Sequence, residues 1–320
     1  MASIKEGRGV KKNTLLGRDI LDIESLTKDE IELIMDTAVE MKKIMKSGMK
    51  KVDYLKGKSI ITLFYEASTR TRTSFESAGK YLGAHVVNIN TASSSVTKGE
   101  CLKDTVLVLE NMDCDAVVIR TPMEGASAYA AKVGKPVVIN AGDGAHAHPS
   151  QALLDLLTLR ENGKTNLKGK KMVIMGDILY SRVARSNIAM WKKFGADIHV
   201  CGPMTLLPHD IASLGVTVDK TAEDALKDAD VVDVLRIQLE RQKAGLFPTT
   251  REYSREYGVN DERLKLCKKD VVVLHPGPMN RGLEISYGVG YCDNAAIRTQ
   301  VNNGVAVRMA LLDLTLGGKH

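Results

Sequence analysis

Three hydroxyls and an arginine stand together in Ser68-Thr69-Arg70-Thr71, with Arg72 and Thr73 directly after them. The apolar run Ser59–Phe64 precedes this stretch, and Phe75, Ala78, Gly79 and Leu82 follow it at i, i+3, i+4 and i+7. That spacing predicts a buried strand running into the first turn of a helix. Backbone N–H groups are unpaired there, and the helix dipole favours negative charge. The hydroxyls add donors, and the fork of Arg70 matches phosphate oxygens. Residues 68–71 are therefore candidates for holding a phosphate. A serine before a helix also serves as an ordinary N-cap, but three hydroxyls with an arginine exceed what a cap needs.

Other chemistry-bearing residues follow predicted strands, where open α/β sheets bind their ligands. Arg120 closes the apolar run Ala116–Ile119. His148 stands before Pro149-Ser150-Gln151 at the predicted start of a helix, whose positive end favours the neutral imidazole. A neutral histidine can donate a hydrogen bond to a carbonyl oxygen and polarise it. Arg182 and Arg236 suit a dicarboxylate, one guanidinium to each carboxylate, and Gln238 faces the same way as Arg236 on an extended segment. His275-Pro276-Gly277-Pro278 follows the last predicted strand. For each of these residues singly, a surface salt bridge or a structural hydrogen bond is the competing explanation.

The elements that must carry these residues alternate. Strands are expected at 59–64, 85–90, 116–119, 137–140, 171–175, 197–201, 231–235 and 271–274. Helices are expected at 27–46, 69–82, from Leu102 on, near 124–133, 149–161, near 181–194, near 222–228 and near 295–315. Thr27 and Glu30 form a capping box, and Val301, Val305, Met309 and Leu312 form one stripe of the last helix. The alternation implies an α/β fold of two doubly wound parallel-sheet domains joined by interdomain helices. Residues 1–148 with 296–320 are expected to form one domain and 149–295 the other. With no Gly/Ser linker between them, the cleft is expected to be fixed, with modest hinge motion. Residues 1–13 are expected to be loosely held, and 239–253 to form a mobile loop.

Composition narrows the function classes. The 320 residues are 44% hydrophobic and 26% charged, with a net charge of +6. The basic excess is interspersed, and with four Phe and one Trp no RNA-binding aromatic signature appears. A basic nucleic-acid binder is thus a weaker reading than arginines converging on small anions. The five cysteines are scattered, without a C-x-x-C pair, which fits a reducing cytoplasm. No signal-peptide core or 18-residue apolar run is present, so no membrane association is expected. Gly142-Asp143-Gly144 and Met175-Gly176-Asp177 follow strands but match neither G-x-G-x-x-G nor a P-loop. There is no metal-binding motif and no G-x-S-x-G elbow. Neither a metal nor an organic cofactor is expected.

Together these motifs resemble the aspartate/ornithine carbamoyltransferases. Ser68-Thr-Arg-Thr-Arg72 with Ser74-Phe75-Glu76 is similar to that family's carbamoyl-phosphate motif. His148-Pro-Ser-Gln151, followed by Ala-Leu-Leu-Asp-Leu-Leu-Thr, is similar to its second motif. The likeness runs from about residue 14 to the end. Arg236-Ile-Gln238 and His275-Pro-Gly-Pro-Met-Asn-Arg281-Gly-Leu-Glu284 resemble the aspartate-specific members, and the His-Cys-Leu-Pro of the ornithine enzymes is missing.

The resemblance implies transfer of a carbamoyl group from carbamoyl phosphate to L-aspartate, the committed step of pyrimidine synthesis. It implies that Ser68, Thr69, Arg70 and Thr71 hold phosphate. Thr71, Arg120 and His148 would contact the carbamoyl oxygen, and Gln151 with the backbone at Pro276 and Gly277 the carbamoyl NH2. Lys98, Arg182, Arg236 and Gln238 would hold aspartate, and Glu66 would orient the arginines. Ser94 or Ser95, with Lys98, resembles a loop that enters the neighbouring subunit's site. A homotrimer with shared sites is therefore implied, and a regulatory chain or a dihydroorotase is admitted as a further partner. The resemblance also implies a cis Gly277–Pro278 bond. Transfer to ornithine or another amino acid, and a catalytically silent carbamoyl-phosphate-binding subunit, are the alternatives.

Overall fold

The computed structural model describes residues 13–48, 50–90, 99–238 and 249–317. Helix α1 (Lys28–Lys46) opens with the expected capping box. Thr27 Oγ1 accepts from the Glu30 N–H, and the Glu30 carboxylate accepts from the Thr27 N–H. Next come β1 (Ser59–Phe64), α2 (Thr69–Tyr81), β2 (His85–Asn90), α3 (Leu102–Asn111), β3 (Ala116–Thr121), α4 (Ala126–Val133) and β4 (Val137–Asp143). Helix α5 (Pro149–Glu161) leads to β5 (Lys171–Met175), α6 (Arg182–Lys193), β6 (Asp197–Cys201), β7 (Thr217–Val218), α7 (Ala222–Leu226) and β8 (Val231–Val234). The chain closes with α8 (Thr250–Tyr257), α9 (Asp261–Leu264), β9 (Val272–Leu274), α10 (Tyr287–Tyr291) and α11 (Ile297–Leu316).

The strands form two all-parallel sheets, ordered β2-β1-β3-β4 and β7-β6-β5-β8-β9. Their central strands are buried almost throughout, as sheets covered on both faces require. Crossovers and parallel pairing direct the carboxyl ends of β1 and β3 to one rim of the first sheet, and those of β5 and β8 to one rim of the second.

One apolar cluster runs between the two sheets, and a separate cluster lies on the other face of each. Ile60, Val118 and Ile139 from the first sheet and Met172, Ile174 and Val200 from the second belong to the shared cluster, with Leu153, Leu156 and Leu157 of α5 and Val307 and Leu311 of α11 between them. Residues 149–159 of α5 are all buried, as is nearly every residue of α11 from Asn303 to Leu316. Both helices are therefore internal beams rather than amphipathic covers.

Several expected boundaries shift for local reasons. The strand expected at 137–140 runs on through Ala141 and Gly142 to Asp143. The Asn140 side chain accepts from the Gly142 N–H at 2.8 Å and donates to Asp143 at 2.8 Å, which frees the backbone to stay extended. Helix α4 starts two residues later than expected because Gly125, at φ +75°, occupies its N-cap. In the last helix Val301 is 57% exposed, so the apolar stripe does not extend to its first turn. The short α8, α9, α10 and β7 have no clear period in the sequence.

The capping box yields a direct expectation. Thr27→Ala removes its side-chain acceptor and should cost about 1 kcal/mol. A lower thermal midpoint with unchanged catalytic constants is the expected result, because α1 lies away from the strand ends that carry the arginines.

Candidate active site

Helix α2 begins where β1 ends, so Ser68, Thr69, Arg70 and Thr71 lie at its N-terminus, as expected. Ser68 occupies the N-cap position with extended backbone, but its side chain makes no capping hydrogen bond. The hydroxyl is thus not used by the helix. Thr71 is buried. Arg70 reaches across to the opposite wall, where its guanidinium lies over Gly277. That glycine sits at φ +65°, and a methyl group there would overlap the guanidinium, so position 277 must lack a side chain. Packing strips hydration from Arg70 and pulls its pKa below the usual arginine value.

Arg120, on β3, stands beside Thr71. Its Nη1 is 3.4 Å from Thr71 Oγ1 and 3.4 Å from the Ala141 carbonyl oxygen. Its Nε lies 3.2 Å from Glu66 Oε2. The same oxygen accepts from Arg182 Nη2 at 2.8 Å, and Arg182 Nη1 donates to the Gly144 carbonyl at 3.2 Å. Glu66 therefore joins an arginine of the first sheet to one at the start of α6, beside the second. Gly142, at φ +121°, makes room for Arg182, since a Cβ there would lie 2.8 Å from its Nε.

His148 precedes α5, with Pro149 at the first helical position as expected. Its N–H donates to Ser186 Oγ of α6 at 2.9 Å. Its Nδ1 is buried without a hydrogen-bond partner among the described residues. Burial, reinforced by the charges of Arg120, Arg182 and Arg308, holds the imidazole well below the usual histidine range. It is neutral, with an unspent ring nitrogen.

The segment after β9 forms the facing wall. His275 Nδ1 accepts from the Gly277 N–H at 2.8 Å, so the proton of a neutral ring sits on Nε2, which faces Glu284 Oε1 at 3.1 Å. Burial lowers the pKa of His275, against the pull of Glu284, and the charges of Arg70 and Arg236 lower it further. The Gly277–Pro278 bond is cis. Arg236 and Gln238 follow β8. Gln238 Nε2 donates to the Tyr180 carbonyl at 3.0 Å, and its N–H points to Asp177 Oδ2 at 3.4 Å.

A cavity of about 310 Å³ opens between these walls. Thr69, Arg70, Thr71, Gln151, Pro276 and Gly277 line it together. Arg120 reaches Thr71 of this lining and meets Arg182 on Glu66, but Ser68, Arg120, His148, Arg182, Arg236 and Gln238 do not themselves line the cavity. A larger hollow of about 530 Å³ on α1, around Asp36, Glu40 and Tyr54, gathers no arginine or histidine. Ser94, Ser95 and Lys98, and most of the expected loop at 239–253, lie outside the described residues. Among the described residues no group of three His, Cys, Asp or Glu side chains could hold a metal, and no helix is long and apolar enough to cross a membrane.

Sequence reasoning missed Arg308 and Gln300, and it named Asp155 and Glu284 only inside motifs, with no role. Arg308 of α11 is buried, donates to Ser74 Oγ at 2.9 Å and to Ser150 Oγ at 3.3 Å, and stacks over Phe75. Burial pulls it down to about 10. Its signal was a lone charge within Val305-Ala-Val-Arg308-Met-Ala-Leu-Leu. Asp155, Gln300 and Glu284 are likewise buried polar groups in apolar surroundings.

Comparison with known proteins agrees with this geometry. The family model for the aspartate/ornithine carbamoyltransferase carbamoyl-P binding domain matches residues 18–161, and that for the Asp/Orn binding domain matches residues 168–315. The chain is 59% identical over 301 residues to the aspartate carbamoyltransferase catalytic subunit of Heliobacterium modesticaldum, covering 94% of this chain and 96% of the relative. It is 57% identical to that of Desulforamulus reducens, covering 95% and 97%. The structure matches Trypanosoma cruzi aspartate transcarbamoylase in complex with N-(phosphonacetyl)-L-aspartic acid, with a TM-score of 0.86 at 30% identity, covering 96% and 98%. It also matches Pyrococcus furiosus ornithine carbamoyltransferase, with a TM-score of 0.83 at 32% identity, covering 96% and 99%. A helix start rich in hydroxyls, faced by a glycine-floored wall and ringed by arginines, thus comes with both halves of a family pattern, and the chain belongs to the aspartate/ornithine carbamoyltransferase family.

Proposed function

We propose that the chain transfers the carbamoyl group of carbamoyl phosphate to the amine of L-aspartate, giving N-carbamoyl-L-aspartate and phosphate. One observation carries the reading. The donor-rich start of α2 faces, across a single cavity, Gln151 and the Pro276–Gly277 backbone. An anion site thus lies opposite groups that can accept from an NH2. The choice of aspartate rests on Arg236-Ile-Gln238 and on the relatives named as aspartate carbamoyltransferase catalytic subunits. The ornithine enzyme's fold is nearly as close, so fold alone does not separate the two substrates.

In this reading Ser68, Thr69, Arg70 and Thr71 bind the phosphate. Thr71, Arg120 and the neutral His148 donate to the carbamoyl oxygen, whose negative charge grows as the aspartate amine attacks carbon. Gln151 and the Pro276 carbonyl accept from the carbamoyl NH2. Lys98, Arg182, Arg236 and Gln238 receive aspartate. Collapse of the tetrahedral intermediate breaks the C–O bond to phosphate, which leaves against Arg70 and can take the amine proton. Rate comes from juxtaposing two anions and from fixed charge rather than from a covalent nucleophile. Glu66, already bonded to an arginine on each side, is placed to couple substrate binding to domain closure.

The carbamoyl-phosphate half comprises residues 1–148 with 296–320 and the aspartate half 149–295. The packing of α11 against α1 and α2 supports this division. The active species is a cytoplasmic homotrimer in pyrimidine synthesis, with Ser94 or Ser95 and Lys98 completing a neighbour's site. The relatives' name, catalytic subunit, favours a regulatory chain over a dihydroorotase as the further partner.

Four outcomes are expected. Arg70→Ala should abolish carbamoyl-phosphate binding along with turnover, and the unmodified chain should carbamoylate aspartate but not ornithine in parallel assays. Normal kinetics in the variant, or ornithine turnover, would overturn the assignment. Lys98→Ala and Arg70→Ala subunits, each inactive, should regain activity when mixed, since a mixed trimer rebuilds a native site. Silence in verified mixed trimers argues against shared sites. Finally, His148 should remain neutral as pH falls through 6.5, because burial and three guanidinium groups depress its pKa. A histidine NMR titration showing protonation near the usual value would contradict the role of a neutral donor.

A further inference from the structure

Asp155 lies one helical turn after Gln151 on α5 and is fully buried. Its Oδ1 accepts from Gln151 Nε2 at 3.0 Å and from Gln300 Nε2 at 2.7 Å. Its Oδ2 accepts from Asn187 Nδ2 at 3.0 Å. All three neighbours are side-chain amides, which can present either a donor or an acceptor end. An ionised carboxylate can only accept, so each amide must turn its NH2 toward Asp155 and its oxygen elsewhere.

The two glutamine oxygens then have defined tasks. Gln300 Oε1 accepts from the His275 N–H at 3.0 Å, which pins the start of the His275-Pro276-Gly277 wall. Gln151 Oε1 is left for the cavity that its residue lines. One carboxylate oxygen therefore orders both groups assigned above to the carbamoyl NH2.

We propose that Asp155 is the positioning residue for carbamoyl recognition, orienting Gln151 and Gln300 so that the cavity offers acceptors to an NH2 group. The inference rests on the functional reading given above. Asp155 is the better place for charge in its cluster. Burial raises Asp155 to about 6, held down by three accepted hydrogen bonds and by Arg308, whereas Asp233, bridged to it through Asn187 Nδ2 at 2.8 Å, has Oδ1 without a partner among the described residues and is pushed up to about 8. Burial and the neighbouring carboxylate push Asp233 upward, so the proton shared by the pair rests there.

The role predicts selectivity rather than general affinity. Acetyl phosphate places a methyl where carbamoyl phosphate has NH2, and inorganic phosphate lacks the group altogether. Asp155→Asn brings a donor into the cluster, which lets Gln151 turn its own NH2 toward the cavity. Dissociation constants for the three ligands are measured by calorimetry on the full chain and on Asp155→Asn. A second variant, Gln300→Met, keeps the Asp155 carboxylate and its bond to Gln151 but removes the amide that ties it to the His275 N–H.

The unmodified chain should prefer carbamoyl over acetyl phosphate. In Asp155→Asn that preference should fall about tenfold, the scale of one misplaced buried hydrogen bond, with inorganic phosphate bound as before. Gln300→Met should show a smaller loss of the same kind. Unchanged preference in both variants overturns the proposal, as does an equal loss of affinity for all three ligands, which marks a merely structural residue. A lack of preference in the unmodified chain overturns the functional reading itself, a result distinct from either.

Discussion

Concentrating positive charge in a half-buried cleft is the constraint on which the rest of the structure depends, and Glu66 is where it is managed. Arg120 and Arg182 approach the same carboxylate oxygen from the two sides of the cleft. Without that counter-charge their guanidinium groups would repel each other across a space where screening by water is reduced. With it, the domains can stand close while the cleft keeps a surplus of donors for anions. The neutrality of the two histidines follows from the same arrangement, since a further charge beside these arginines would be costly. His148 and His275 are thereby left as directional hydrogen-bonding groups rather than cations.

Most of the frame was legible because its signals are local. Strand 59–64 and the capping box at Thr27 come from short-range pattern, and the structure returns both. The end of β4 was misjudged because the Asn140 side chain bonds backbone groups both next to it, at Gly142, and far along the chain, at Leu21. The all-round burial of α5 and α11 was less visible. A helix used as a beam between two sheets has no polar face, so its period carries little information about its role.

The site divides similarly. Arg70, Thr71, Arg120 and His148 stood out because each follows a strand or opens a helix, where reactive groups are expected. Gln151 and Pro276 needed the family resemblance. The roles of Arg308, Asp155 and Gln300 were not visible, since each residue sits inside an apolar helical run and its partners lie far away in sequence. Asp155 and Gln300 are separated by 145 positions and meet only because α11 returns to lie against α5. A buried polar residue announces that it has a partner, but not which one.

That return of α11 has a consequence for how the protein is made. The second sheet is an excursion between the strands of the first half and the helix that completes their core. As the chain emerges from the ribosome, β1–β4 are complete long before residues 297–316 exist to pack between the sheets, while the strands of the second sheet, β5–β9, appear in one uninterrupted stretch. Domains commonly fold as units in order of synthesis. Here the order is inverted at the last step, and the earliest-made half must keep an apolar surface uncovered until the final helix arrives. Until residues 297–316 are made, the surface of the first half that α11 packs against has no cover from this helix.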